Sequence, residues 1–317
     1  MPSSPSAIRA FAALVGLTLR RQWRVRALGW ATFGLVVVMT LAVGLISHGR
    51  NGWAFDTRYS GRYRTQYRNY PAAQLDRIQM LPQPGMALGV EAAVFAPFRA
   101  LLVDPQFLHD YEFLNFSRWV VFGLYLGFLM PLINLAFASG ALGAEREGRT
   151  MIWLLTRPQP RGAMYVAKFL GVLPWCVLVS LGGLAALCFA GGPVGRTAFV
   201  TFAPVAVMGS IAFASLFHLL GAVVRRPAVI GLAYIFFFET LVANLPGSLK
   251  QLSVNYYVRS ALFDAASTRV QTLTPESLDV YSPADVTTAW ITLIVASIVI
   301  TAIGAILFGR AEPSEES

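Results

Sequence analysis

The apolar residues of this chain fall in long unbroken blocks instead of at a helical or strand period, and that limits what it can fold into. A run of about 18 or more apolar residues matches the thickness of a bilayer's hydrocarbon core. Six blocks reach that length, at Ala27 to Ser47, Arg118 to Gly143, Gly171 to Ala190, Thr197 to Val224, Pro227 to Leu245 and Val286 to Phe308. Composition agrees: 56% of the 317 residues are hydrophobic and 13% are charged, against roughly a quarter charged in a soluble domain. The expected fold is an all-α integral membrane domain of six transmembrane helices over residues 1–310. It carries an extracytoplasmic insertion at 49–117, a second extracytoplasmic loop at 246–285 and a disordered tail at 311–317.

Arginine and lysine orient the helices, because they collect in short cytoplasmic loops. Arg9, Arg20, Arg21, Arg24 and Arg26 precede the first block. Arg146, Arg149, Arg157, Arg161 and Lys168 lie between the second and third, Arg225 and Arg226 between the fourth and fifth, and Arg310 after the sixth. With six crossings all of these share one side, so both termini are expected in the cytoplasm of a plasma (inner) membrane protein. The insertion also holds arginines, but long loops translocate largely regardless of charge. The net charge of +9 is thus topogenic, and no basic groove or recognition motif accompanies it to suggest nucleic acid.

Within the insertion, Tyr59, Tyr63, Tyr67 and Tyr70 recur at helical spacing, flanked by Arg58, Arg62 and Arg68. They form a face for lipid, for the bundle, or for cargo or an outer partner. Val90 to Val103 is apolar but too short to cross, which suits an interfacial or re-entrant helix. Asn115-Phe-Ser117 fits a glycosylation sequon. Gly123-Leu-Tyr-Leu-Gly127 has the small-x-x-x-small form that lets helices approach, within one subunit or between two. Cys176 and Cys188 are about 18 Å apart along one helix, too far to pair.

The chemistry-bearing stretch is the loop between the second and third blocks. Gly143-Ala-Glu-Arg-Glu-Gly-Arg149-Thr150 imitates a phosphate loop with Arg in place of Lys, but a membrane span precedes it where a strand is required. Glu145 and Glu147 would also repel phosphate. No nucleotide site is expected on this chain. The remainder is a mixed-charge turn followed by an amphipathic segment, Ile152 to Leu155, ended by Pro158 and Pro160. By itself it serves as an interfacial helix with topogenic charges or as a docking element.

Glu145-Arg146-Glu147-Gly148-Arg149-Thr150, Leu154-Leu155, Arg157-Pro158, Arg161 and Lys168-Phe169-Leu170-Gly171 resemble the loop signature of ABC type 2 permeases, the membrane subunits of ATP-binding-cassette transporters. Leu219-Leu220-Gly221, Arg225-Arg226-Pro227, Glu239 and Leu245-Pro246-Gly247 add to that resemblance. It implies a permease, exporting more often than importing, that pairs with a second copy or a related permease and with cytoplasmic ABC ATPase subunits. ATP and magnesium would bind the ATPase, leaving no cofactor on this chain. It also implies that Glu145, Arg146, Glu147, Arg149 and Arg157 contact the ATPase. The long insertion has no fixed counterpart in the family, so cargo is not implied.

Asn134, His218 and Glu239 are polar groups inside the spans, where such residues are costly. Each either finds a hydrogen bond in the bundle or lines a translocation path. His218 and Glu239 lie at different depths and are not expected to pair. The other functional class open to the sequence is a membrane scaffold without a path. An intramembrane enzyme lacks the clustered His, Asp or Glu it would need.

Overall fold

The computed structural model describes residues 7–22, 27–48, 53, 112–113, 115–142, 160–241, 248–267 and 284–310. Among these the chain is helical, without strands. The helices are α1 (Ala7–Gln22), α2 (Ala27–Ser47), α3 (Ser117–Leu142), α4 (Arg161–Ala190), α5 (Gly192–Val223), α6 (Pro227–Tyr234, continued by Ile235–Leu241), α7 (Val254–Ser267) and α8 (Val286–Arg310). Five are long and apolar enough to cross a membrane, namely α2 from Gly29, α3, α4, α5 and α8; α6 is a shorter apolar helix. The expected coupling segment, with Glu145, Arg146, Glu147, Arg149 and Arg157, lies outside the described residues, as do the insertion's tyrosine face and Val90 to Val103.

Packing is sorted as a bilayer requires. Tyr125, Tyr165, Phe116, Phe202, Phe213 and Phe217 are fully buried, whereas Trp30, Phe33 and Leu45 on α2 and Ile291, Ile298 and Ile306 on α8 point outward. In lipid there is no penalty for apolar side chains on the outside. α3 and α5 form the centre of the bundle, and α2 and α8 its periphery.

Two local sequences explain how the long helices join. α4 starts directly after Pro160, whose extended backbone accepts the Ala163 and Met164 amides. Helix therefore extends ten residues before Gly171, where the apolar block begins. At its other end, Gly191 and Gly192 turn the chain back into α5, and Gly192 takes φ +71°, a left-handed conformation that suits glycine. α3 is wound more widely than an α-helix: the Met130 amide bonds to Tyr125 O, five residues back. Pro131, with no amide hydrogen, follows directly.

Two helices escaped the sequence reading. α1 packs along the N-terminal half of α4, where Thr18 sits in the space that Gly171 leaves open, and the Trp175 indole donates to Leu19 O at 3.0 Å. α7 lies within the expected second outer loop and returns into the bundle to pack on α5 and α8.

Trp53 fastens the ends of the insertion. Its indole donates to Ser47 Oγ at 2.8 Å, its carbonyl accepts from Asn115 Nδ2 at 3.0 Å, and its ring meets Phe116 edge-on at 5.0 Å. The sequon amide of Asn115 is therefore engaged within the fold. A Cβ placed on Gly123 or Gly127 would meet no other described helix within 4 Å: the nearest atoms are carbonyl oxygens of their own helix, Arg118 O and Phe122 O.

Candidate functional site

The three polar residues singled out inside the spans are all fully buried, and the fold gives each a different neighbourhood. The mid-bundle residue is Asn134 on α3. Its Nδ2 donates to Met130 O at 2.8 Å within the helix, and its Oδ1 accepts from Ser210 Oγ of α5 at 2.9 Å. Nearby, Tyr125 of α3 meets Ser180 of α4, OH to Oγ, at 2.8 Å. These bonds hold the central helices in register, since a polar group in an apolar interior is costly unless paired.

His218 of α5 lies where the C-terminal ends of α3 and α5 meet the N-terminal end of α4. Its Nδ1 faces Ala138 O of α3 and its Nε2 faces Tyr165 O of α4, each at 3.4 Å. The ring lies against Tyr165 and Phe169, with centroids at 4.6 and 5.5 Å. A neutral imidazole has one N–H, so one of the two carbonyls receives it. Ala138 is four residues before the end of α3, and Tyr165 is four residues after the start of α4. His218 therefore touches both legs of the charged loop at 143–159.

Small residues tighten the knot around His218. A Cβ on Gly221 would lie 2.7 Å from Ser139 O, and Gly304 of α8 is covered by the Tyr165 hydroxyl. Leu142, Tyr165, Ala222 and Phe308 close the cluster. Sequence reasoning noticed Gly221 as part of a motif but not its role, which is to bring α5 against the α3 backbone.

Glu239 of α6 occupies the other half of the bundle. Its Oε1 accepts from Tyr234 OH at 2.5 Å, and its Oε2 accepts from Ser253 Oγ at 2.6 Å and from the Asn255 amide at 2.9 Å. Its own carbonyl accepts from Asn255 Nδ2 at 3.3 Å. Ser253 also caps α7, its Oγ accepting from the Tyr256 amide at 3.3 Å. The carboxylate thus sits at the N-terminus of α7, where the helix dipole favours negative charge. Tyr234, Ser253 and Asn255 were not found from sequence. A serine followed by a half-apolar segment was the available signal for the capped helix.

Asn134, His218 and Glu239 are not brought together, and His218 and Glu239 have no partner in common. Among the described residues no cluster of three metal-ligating side chains occurs. The arrangement holds helices together and can pass movement between them.

Buried polar crosslinks inside a bundle of membrane-length helices define a multi-pass membrane protein. Residues 83–244, half the chain, match the family model described as ABC-2 family transporter protein. This protein belongs to that family. It resembles two proteins named probable ABC transporter permease protein NosY. That of Stutzerimonas stutzeri is 36% identical over 128 residues, covering 37% of this chain and 46% of that protein. That of Pseudomonas aeruginosa is 44% identical over 61 residues, covering 18% and 22%. The chain spans less than half the length of either relative.

Proposed function

We propose that this chain is a plasma (inner) membrane permease subunit that exports its substrate using ATP hydrolysed by a separate cytoplasmic ABC ATPase. The observation that carries this reading is the seat of His218 between the two legs of the charged loop. Glu145, Arg146, Glu147, Arg149 and Arg157 would be held by the ATPase through ion pairs. Displacement of the loop then passes through Ala138 and Tyr165 into α5, since packed helices move as rigid elements. ATP and magnesium bind the partner, consistent with the absence of a phosphate loop in this sequence.

The topology has six crossings with both termini in the cytoplasm. Five are the long helices, and the remaining one is shared by α6 and α7. Glu239 lies about 18 Å from Pro227 at 1.5 Å per residue, short of the roughly 30 Å core. α7 begins beside it, and Ser260 Oγ of α7 accepts the Ala284 amide at 3.0 Å, at the start of α8. The second helix therefore continues where the first stops. A second copy or a related permease completes the path, and Asn134, His218 and Glu239 govern its shape from within.

The test is charge reversal at Glu145 and Glu147 together, followed by affinity purification of the full chain and mass spectrometry. The wild type is expected to carry an ABC ATPase and the variant to lose it. Equal recovery of the ATPase by both would remove the loop from the coupling role. Recovery of no ATPase by the wild type would favour a scaffold.

A further inference from the structure

We propose that Glu239 is a latch. Its carboxylate holds the start of α7 against the end of α6 and keeps the outer half of the bundle shut, and its release opens that half. The side named outer rests on the topology proposed above; the latch itself rests on the geometry of the two helices.

The inference begins with depth. Val258 of α7 packs against Gly209, where a Cβ would lie 3.1 Å from a Val258 methyl. Gly209 is about 21 Å from Val223 at helical rise, close to the depth of Glu239. The N-terminus of α7 therefore points into the middle of the bundle, and this crossing is made by two half-helices. A break at that depth exposes amide groups with no helical partner, and hydrocarbon supplies none.

Glu239 meets that need. Both carboxylate oxygens are occupied, by two hydroxyls and one backbone amide drawn from α6 and from the start of α7. Among the described residues it has no basic partner. Every group it holds is neutral, so entering water could replace each bond singly without separating an ion pair. Asn255 Oδ1 is buried in the closed arrangement with no hydrogen-bond partner. Such a group costs free energy until water or a donor reaches it, which brings the closed and open states nearer in energy. The bonds that Glu239 makes at the junction of α6 and α7 are thus local and exchangeable, as a gate requires.

The experiment uses the full chain in membrane vesicles, with Val258→Cys as reporter and Cys176→Ala and Cys188→Ala to remove the native thiols. Val258 is fully buried, and maleimide attack needs a hydrated thiolate, so labelling by N-ethylmaleimide reads the opening. Glu239→Gln keeps the shape but turns one acceptor into a donor facing donors. It should raise the labelling rate at least tenfold. Tyr234→Phe combined with Ser253→Ala removes two donors while retaining the carboxylate, and should raise it as well; this pair decides if the Gln variant does not fold. Ser180→Ala breaks a buried bond of the same kind away from α7, the one to Tyr125, and should leave the rate unchanged. A Gln variant that folds and labels at the parent rate overturns the latch. An equal rise in Ser180→Ala also overturns it, because general loosening would then explain the effect. An impermeant maleimide reports the side separately: labelling from the cytoplasmic face alone would refute the topology and leave the latch standing.

Discussion

Replacing Gly221 with alanine tests whether the knot around His218 is set by backbone contact. The added Cβ would lie 2.7 Å from Ser139 O and 3.2 Å from Ser139 Cα. A relaxed carbon–oxygen contact needs about 3.3 Å or more, so α5 and α3 must part by about 0.6 Å. Neither atom can rotate away, because both belong to the α3 backbone, and Ser139 Oγ is bonded to Leu135 O at 2.6 Å. Overpacking of this kind costs about 1–3 kcal/mol, which outweighs the gain of up to about 1 kcal/mol in helix propensity. At Gly34, exposed on α2 with nothing within 4 Å, only the propensity gain applies, so the two substitutions should differ in sign. The assay is the fraction of detergent-solubilised full chain that stays monodisperse after heating. Gly221→Ala should lower the midpoint by roughly 2–4 °C per kcal/mol, and Gly34→Ala should leave it equal or slightly higher. If both variants lose stability alike, or neither does, close approach at Gly221 is not what positions α5.

Substitutions at two further positions follow from the packing. The Tyr165 hydroxyl is buried with no hydrogen-bond partner, so Tyr165→Phe should match or exceed the wild-type midpoint in the same assay, whereas truncation to alanine should cost about 3–5 kcal/mol. Trp53→Ala removes the ring on Phe116 and the indole bond to Ser47. It should destabilise the chain by a similar amount and speed limited proteolysis at the ends of the insertion.

The apolar blocks made the long helices legible because hydrocarbon demands continuous apolar length. α2 was read to the residue, and α8 to within two at its C-terminal end. Block length failed where helices exceed or fall short of the bilayer. α4 extends from Gly171 back to Arg161 because Pro160 starts it, and Lys168 does not interrupt a helix that is buried by neighbours. α1 has the 3.6-residue pattern of Phe11, Leu14, Val15 and Thr18, a signal that a search for membrane-length runs passes over. α7 mixes Asn255, Tyr256, Tyr257 and Arg259, so its sequence resembles a loop.

For the candidate site, the cost of an intramembrane polar group picked out Asn134, His218 and Glu239, and the helical rise kept the last two apart. Their partners could not be read. Ser210 lies 76 residues from Asn134, and Ala138 lies 80 from His218, distances that only the packing closes. The small residues were visible, but their purposes were not: Gly221 and Gly304 admit neighbours within the chain, whereas Gly123 and Gly127 remain uncovered by its other described helices.

The claim on which the functional account rests is that the charged segment joining α3 and α4 faces the cytoplasm. A single cysteine at Arg149, read with an impermeant maleimide in sealed vesicles of both orientations, tests it directly. Cys176 and Cys188 are buried and should stay silent. Labelling in inside-out vesicles alone is the expected result. Labelling in right-side-out vesicles would place the segment outside the cell, beyond the reach of any ATPase, and contradict the account.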